Sequence, residues 1–93
     1  ESIVELDNGR IDLYPNPGWG MVYTTLYMKE FADYEIIFRD ITGIVHRKET
    51  YYITDAPTLI QHDLMSLKAG YYIIEFKNLS TGRQVFKKYM LQY

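Results

Sequence analysis

These 93 residues contain no cysteine, so neither a disulfide framework nor a thiolate metal site can be built from them. Basic runs are short, nothing longer than Arg47-Lys48 and Lys87-Lys88, and the formal net charge is −2. Nucleic acid needs a basic footprint, so it is set aside as a partner. No apolar run approaches the ~20 residues of a membrane-crossing helix. No secretory leader opens the chain, which starts at Glu1 rather than methionine and is expected to be a piece of something longer. A glycine-rich phosphate cradle is absent and no other cofactor motif shows, so no cofactor is expected. Helical periodicity is hard to find.

What the chain has instead is aromatic side chains: ten tyrosines, four phenylalanines and one tryptophan. Tyrosine suits half-buried strands, where its ring packs while its hydroxyl stays wet. Short alternating runs are separated by Gly, Pro, Asn and Asp, the pattern of an all-β domain. Candidate strands are Ser2–Leu6, Arg10–Tyr14, Met21–Met28, Tyr34–Arg39, Ile44–Ile53, Thr58–Leu64 and Gly70–Lys77. A last run, Arg83–Tyr93, has some helical spacing but suits a hairpin partner better. Along Tyr34–Arg39, residues Tyr34, Ile36 and Phe38 share one face and Glu35, Ile37 and Arg39 the other. In Gly70–Lys77 the alternation turns Tyr72, Ile74 and Phe76 inward and Glu75 and Lys77 outward. About seven short antiparallel strands in one domain spanning residues 1–93 predict an immunoglobulin-like β-sandwich. Residues 1–10 are a linker or a first strand.

Residues with chemistry are few. His62, Asp63 and Ser66 contain the ingredients of a hydrolytic triad, but they sit in one short stretch with no nucleophile-elbow glycines, and read as a polar loop. His46 belongs on an exposed strand face. Two distant histidines are too few for a zinc site, and the scattered aspartates do not match a calcium loop; at turns Asp bonds its own backbone. Asn78-Leu79-Ser80 fits the N-glycosylation acceptor pattern. Tyr51-Tyr52 and Tyr71-Tyr72 send one ring to each face of their strands, either as cross-strand pairs that stabilise the sheet or as a ligand surface. Enzymatic activity is not expected.

The sharpest local feature is Tyr14-Pro15-Asn16-Pro17-Gly18. Both prolines fix φ and lack an amide hydrogen, so neither can donate to a sheet ladder. Tyr14 and Asn16 are held extended by the prolines that follow them, and Gly18 allows a sharp turn. Gly43 and Gly82 sit where turns favour positive φ. Gly70 lets the chain leave a loop closed by Leu67, a core plug, and start the strand that carries Tyr72.

Four fragments then line up in one order. Leu13–Pro17 resembles the opening motif of the C-terminal sorting domains of the type IX (Por) secretion system of the Bacteroidota, those of type A. Arg39–Val45 looks like that family's central hairpin, Leu67–Phe76 matches its Leu-x-x-Gly-x-Tyr motif through Leu67, Gly70 and Tyr72, and Thr81–Leu91 is similar to its lysine-bearing closing strand. The resemblance covers the chain from about Ile11 to its end. It implies a sorting motif made of Tyr14, Pro15, Asn16, Pro17, Gly43, Leu67, Gly70, Tyr72, Gly82, Lys87 and Lys88. It also implies an exported cargo on the N-terminal side, the type IX machinery and a surface sortase as partners, periplasmic transit, and a final place on the outer-membrane surface or outside the cell. Gln84–Tyr93, as a terminal strand with two lysines, is expected to form much of the recognition surface and to be able to add to a partner's sheet. Such an edge could also pair two copies. The alternative is an immunoglobulin-like module that binds carbohydrate or protein through outward tyrosines.

Overall fold

The computed structural model describes residues 10–27, 31–54 and 57–92. Seven strands follow the alternation: β1 (Arg10–Tyr14), β2 (Met21–Tyr27), β3 (Ala32–Asp40), β4 (Val45–Ile53), β5 (Thr58–Asp63), β6 (Gly70–Asn78) and β7 (Gln84–Leu91). Among the described residues these strands pair antiparallel, forming a three-stranded sheet, β1-β2-β5, and a four-stranded sheet, β4-β3-β6-β7. The last run is therefore a strand. The candidate strand Ser2–Leu6, and Met28 and Tyr93, lie outside the described residues.

Period-two alternation decides which face each strand buries. In β2, Val22, Thr24 and Leu26 are buried while Met21, Tyr23, Thr25 and Tyr27 are half-exposed. Ile11, Val22, Leu26 and Ile60 from one sheet meet Tyr34, Ile36, Phe38, Ile74, Phe76, Tyr89 and Leu91 from the other in one core. The result is an all-β sandwich of immunoglobulin-like type, with β4 placed beside β3.

One expectation of exposure is corrected on the outer face of the four-stranded sheet. Glu75 is only 3% exposed, and Ile37 on the same face 5%. These two are paired on the two central strands of the sheet, β3 and β6. The buried carboxyl of Glu75 is satisfied there by hydrogen bonds from the Arg39 guanidinium and the Gln84 amide. His62 is corrected too: it belongs to β5 and points into the core rather than lying in a polar loop.

Register gives the sandwich two distinct poles. Arg10 at the start of β1 pairs with Tyr27 at the end of β2, and Tyr34 near the start of β3 pairs with Asn78 at the end of β6. The β6–β7 turn therefore shares a pole with Arg10. At the opposite pole Tyr14 pairs with Tyr23, Asp40 with Tyr72 and Gly70 with Leu91. Three connections meet there: residues 15–20, residues 41–44 and residues 64–69.

Candidate functional site

The proline segment reaches that far pole by lying along β7. Asn16 Nδ2 donates to the Lys88 carbonyl at 2.7 Å, and the Met90 amide donates back to Asn16 Oδ1 at 3.0 Å. One side-chain amide thus satisfies a donor and an acceptor on a free sheet edge, as a paired strand would. Two residues on, the Gly18 amide donates to the Met90 carbonyl and the Gln92 amide to the Gly18 carbonyl, an isolated parallel bridge with Leu91. Pro15 and Pro17, which cannot donate, lie exposed on either side of Asn16, and both of their preceding peptide bonds are cis.

Gly18 does not have positive φ, so its role differs from the turn expected of it. A Cβ there would collide with the buried Tyr89 hydroxyl and lie 2.7 Å from the Pro15 carbonyl; the residue is glycine for want of space. The positive φ falls at Gly20 instead, at 116°. β7 is an edge strand, as expected, but its outer edge from Lys88 to Gln92 is already occupied by this segment. A partner's strand could add only to the part nearer Gln84.

Beside the proline segment, Asp40 organises the β3–β4 turn. Its Oδ1 accepts from the Thr42 amide and hydroxyl and the Ile44 amide, and its Oδ2 lies 2.8 Å from His46 Nε2. The Thr42 hydroxyl first, then His46 and the two amides, hold the Asp40 carboxyl well below the usual carboxylate range. His46 reaches it because it is the extra residue of a bulge: Phe38 pairs with Arg47 but Arg39 pairs with Val45. The same ring meets Tyr72 edge-on, 5.7 Å between centroids.

Tyr72 is buried, and its hydroxyl donates to the Lys68 carbonyl at 2.5 Å, which fixes the loop before β6. Leu67 packs partly buried against the core, with its amide donating to the Leu64 carbonyl. The hairpin turn and this loop thereby form opposite walls of a cleft of about 560 Å³, lined by Asp40–Thr42, His46 and Ser66–Tyr72.

Of the expected motif residues, Tyr14, Pro15, Asn16, Pro17, Gly43, Leu67, Gly70 and Tyr72 gather at this pole. Gly82 does not. It turns the chain at the other end, with the positive φ foreseen for it. Lys87 and Lys88 do not form one patch, because adjacent strand residues face opposite ways. Lys88 places its Nζ 4.9 Å from the Tyr71 ring centroid on the outer face, while Lys87 shares the inner-facing row of Ile74. Sequence reasoning had no access to the Asn16 clamp; an amide between two prolines, which cannot serve a ladder themselves, was the only hint.

Elsewhere, the apparent hydrolytic ingredients are rearranged. Neither Asp63 nor Ser66 hydrogen-bonds to the His62 ring. Instead the Thr24 hydroxyl lies 2.8 Å from His62 Nε2 and Glu49 Oε1 lies 2.8 Å from His62 Nδ1, while the Tyr51 hydroxyl donates to the same carboxylate oxygen at 3.0 Å. Burial pushes the His62 pKa down, against the attraction of Glu49, so the neutral ring donates from Nδ1 and accepts from Thr24. Burial also raises the Tyr51 phenol, reinforced by Glu49. The order of groups mimics a triad, but Thr24 is fully buried and His62 is 1% exposed, so no substrate reaches the hydroxyl. This chain of contacts is structural and joins the two sheets.

Asn78 is equally committed: its amide donates to the Tyr34 hydroxyl at 3.1 Å and its Oδ1 accepts from Ser80 and Thr81, leaving no accessible nitrogen for a glycan. The outward tyrosines of the three-stranded sheet are paired. Tyr14 stacks on Tyr23 at 6.0 Å, and Arg10 lies over Tyr27 at 4.1 Å. No cluster of metal-ligating side chains occurs among the described residues.

An immunoglobulin-like sandwich with one elaborated pole and a strapped closing strand defines the class of protein. Residues 12–92 match the family model of the secretion system C-terminal sorting domain, and the chain belongs to that family of type IX secretion sorting signals. Membership makes it the tail by which a cargo protein engages the type IX machinery, for export to the cell surface or the extracellular space. Such domains are a non-catalytic family. No curated protein matches the chain.

Proposed function

We propose that the pole farthest from Arg10 is the surface the secretion machinery reads, with cargo attached on the other side through residues 1–10. The observation that carries this reading is positional. Fragments far apart in the chain, Tyr14–Gly18, Asp40–Gly43 and Leu67–Tyr72, fold to one end, whereas Arg10 lies at the other. A label that must stay accessible while tethered to a folded cargo is best presented away from the tether. Recognition is docking, without a covalent step in this chain. In this reading the cargo crosses the periplasm with the domain folded, and a surface sortase then removes the domain and attaches the cargo at the cell surface.

The Gln84–Leu91 strand contributes less as an edge than as a scaffold. Deleting Lys87–Tyr93 would remove Tyr89 and Leu91 from the core and unfold the domain, so it cannot serve as the test. The informative experiment fuses residues 1–93 to a fluorescent protein carrying an inner-membrane export signal, in a host with a type IX system. Fractionation should find the fusion on the cell surface or in the medium, and the reporter without the domain in the periplasm. Equal periplasmic retention of both would overturn the proposal.

A further inference from the structure

The cleft between the β3–β4 turn and the Leu67 loop has a chemistry that selects its occupant. Its walls are mostly apolar: Ile41, Leu67, Ala69, Tyr71 and Tyr72. Ile41 is 71% exposed, Ile44 beside it 60%, and Tyr71 43%, so apolar surface continues from the cleft onto both of its rims. The Asp40 carboxylate at the cleft edge has both oxygens engaged, Oδ1 by Thr42 and Ile44 and Oδ2 by His46, so it is turned into its own hairpin turn. The cations do remain available. Lys68 lies on the cleft wall, Lys88 stands over the Tyr71 ring, and among the described residues neither pairs with a carboxylate.

We infer that the cleft docks an extended segment of a partner protein that carries aliphatic side chains flanked by carboxylates. The aliphatic groups enter between Ile41 and Leu67, and the carboxylates meet Lys68 and Lys88. The segment belongs to the secretion machinery, so this inference rests on the sorting function proposed above. A basic segment is rejected, because the lysines would face like charge.

The test uses the isotope-labelled 93-residue chain and two synthetic probes. One is the acetylated, amidated pentapeptide Glu-Ile-Glu-Val-Glu, and the other has lysine at each glutamate position. Amide resonances should move at residues 41–42 and 66–72 with the acidic probe only. The K68E/K88E double variant should weaken binding about fivefold or more, as should a rise in ionic strength to about 1 M. Both lysines are solvent-facing, and K68E alone, which leaves the Tyr71 contact intact, guards against misfolding of the double variant. Equal binding of the two probes, shifts mapping elsewhere, or no shift at millimolar probe would overturn the inference. Export separates the two proposals. If the unmodified reporter fusion stays in the periplasm, the sorting reading falls whatever the peptides do. If the K68E/K88E fusion is exported like the unmodified one, the machinery does not dock in the cleft, and the sorting reading stands.

Discussion

At the scale of single residues, Asn16 and Gly18 act by contrasting means on the same strand edge. Asn16 supplies two hydrogen bonds at a partly wet edge, each contributing about 1 kcal/mol net. Gly18 supplies an absence of atoms, which lets the backbone approach Tyr89 and bond to β7 on both sides. Asn16→Ala should therefore lower stability by about 1–2 kcal/mol. Gly18→Ala should cost more, because a methyl group there displaces either the segment or a core tyrosine. Urea unfolding at constant slope measures both. Midpoints unchanged from the parent chain would show that the segment is not seated on β7. A Gly18→Ala variant less affected than Asn16→Ala would show that space is not what selects the glycine.

At the scale of elements, two polar devices hold strands together, and both respond to acid in the same direction. Asp40 ties the β3–β4 turn, and His62 ties β5 to β2 and β4. The folded-state pKa of His62 is lowered, so the unfolded chain binds its proton more readily. Stability is then full above the ordinary histidine range and declines as pH falls below it. Asp40 is lowered too, so its contribution is present above the ordinary carboxylate range and is lost on further acidification. Urea midpoints should fall in two steps between pH 8 and about 2. His62→Gln should flatten the upper step, and Asp40→Asn the lower one. A single step that neither variant alters would refute the assignment. These devices also mark what could be read from the sequence. Alternation set the strand faces of β2, β3 and β6 well, and the turn at Asp40–Gly43 was legible because aspartate and glycine have local roles there. The burial of Glu75 and His62 was not legible, because it depends on which strands become neighbours. For Glu75 the partners come from β3 and β7; for His62 they come from β2 in its own sheet and β4 in the other.

At the scale of the whole molecule, the claim open to direct attack is that the two ends of the sandwich do different work. Exposed apolar side chains occur at both. Trp19 and Ile41 lie at the pole of the proline segment and the cleft, while Phe31 and Leu79 lie at the pole of Arg10. All four are exposed, so replacing any of them should change stability by no more than about 0.5 kcal/mol. They form a matched set for separating recognition from folding. If the machinery reads the far pole, Trp19→Asp and Ile41→Asp should each leave the unfolding midpoint in place and cut surface delivery of the fusion severalfold. Loss of a buried aromatic or aliphatic anchor is the dominant cost at protein interfaces, and an introduced carboxylate adds desolvation to that loss. Phe31→Asp and Leu79→Asp should deliver the reporter at the parent level. The converse pattern, with export failing for the Arg10 pole and surviving at the other, would place the reading surface beside the cargo tether. Equal loss from all four would mean that the machinery encloses the entire sandwich, and the polarity argued from strand register would then carry no functional weight.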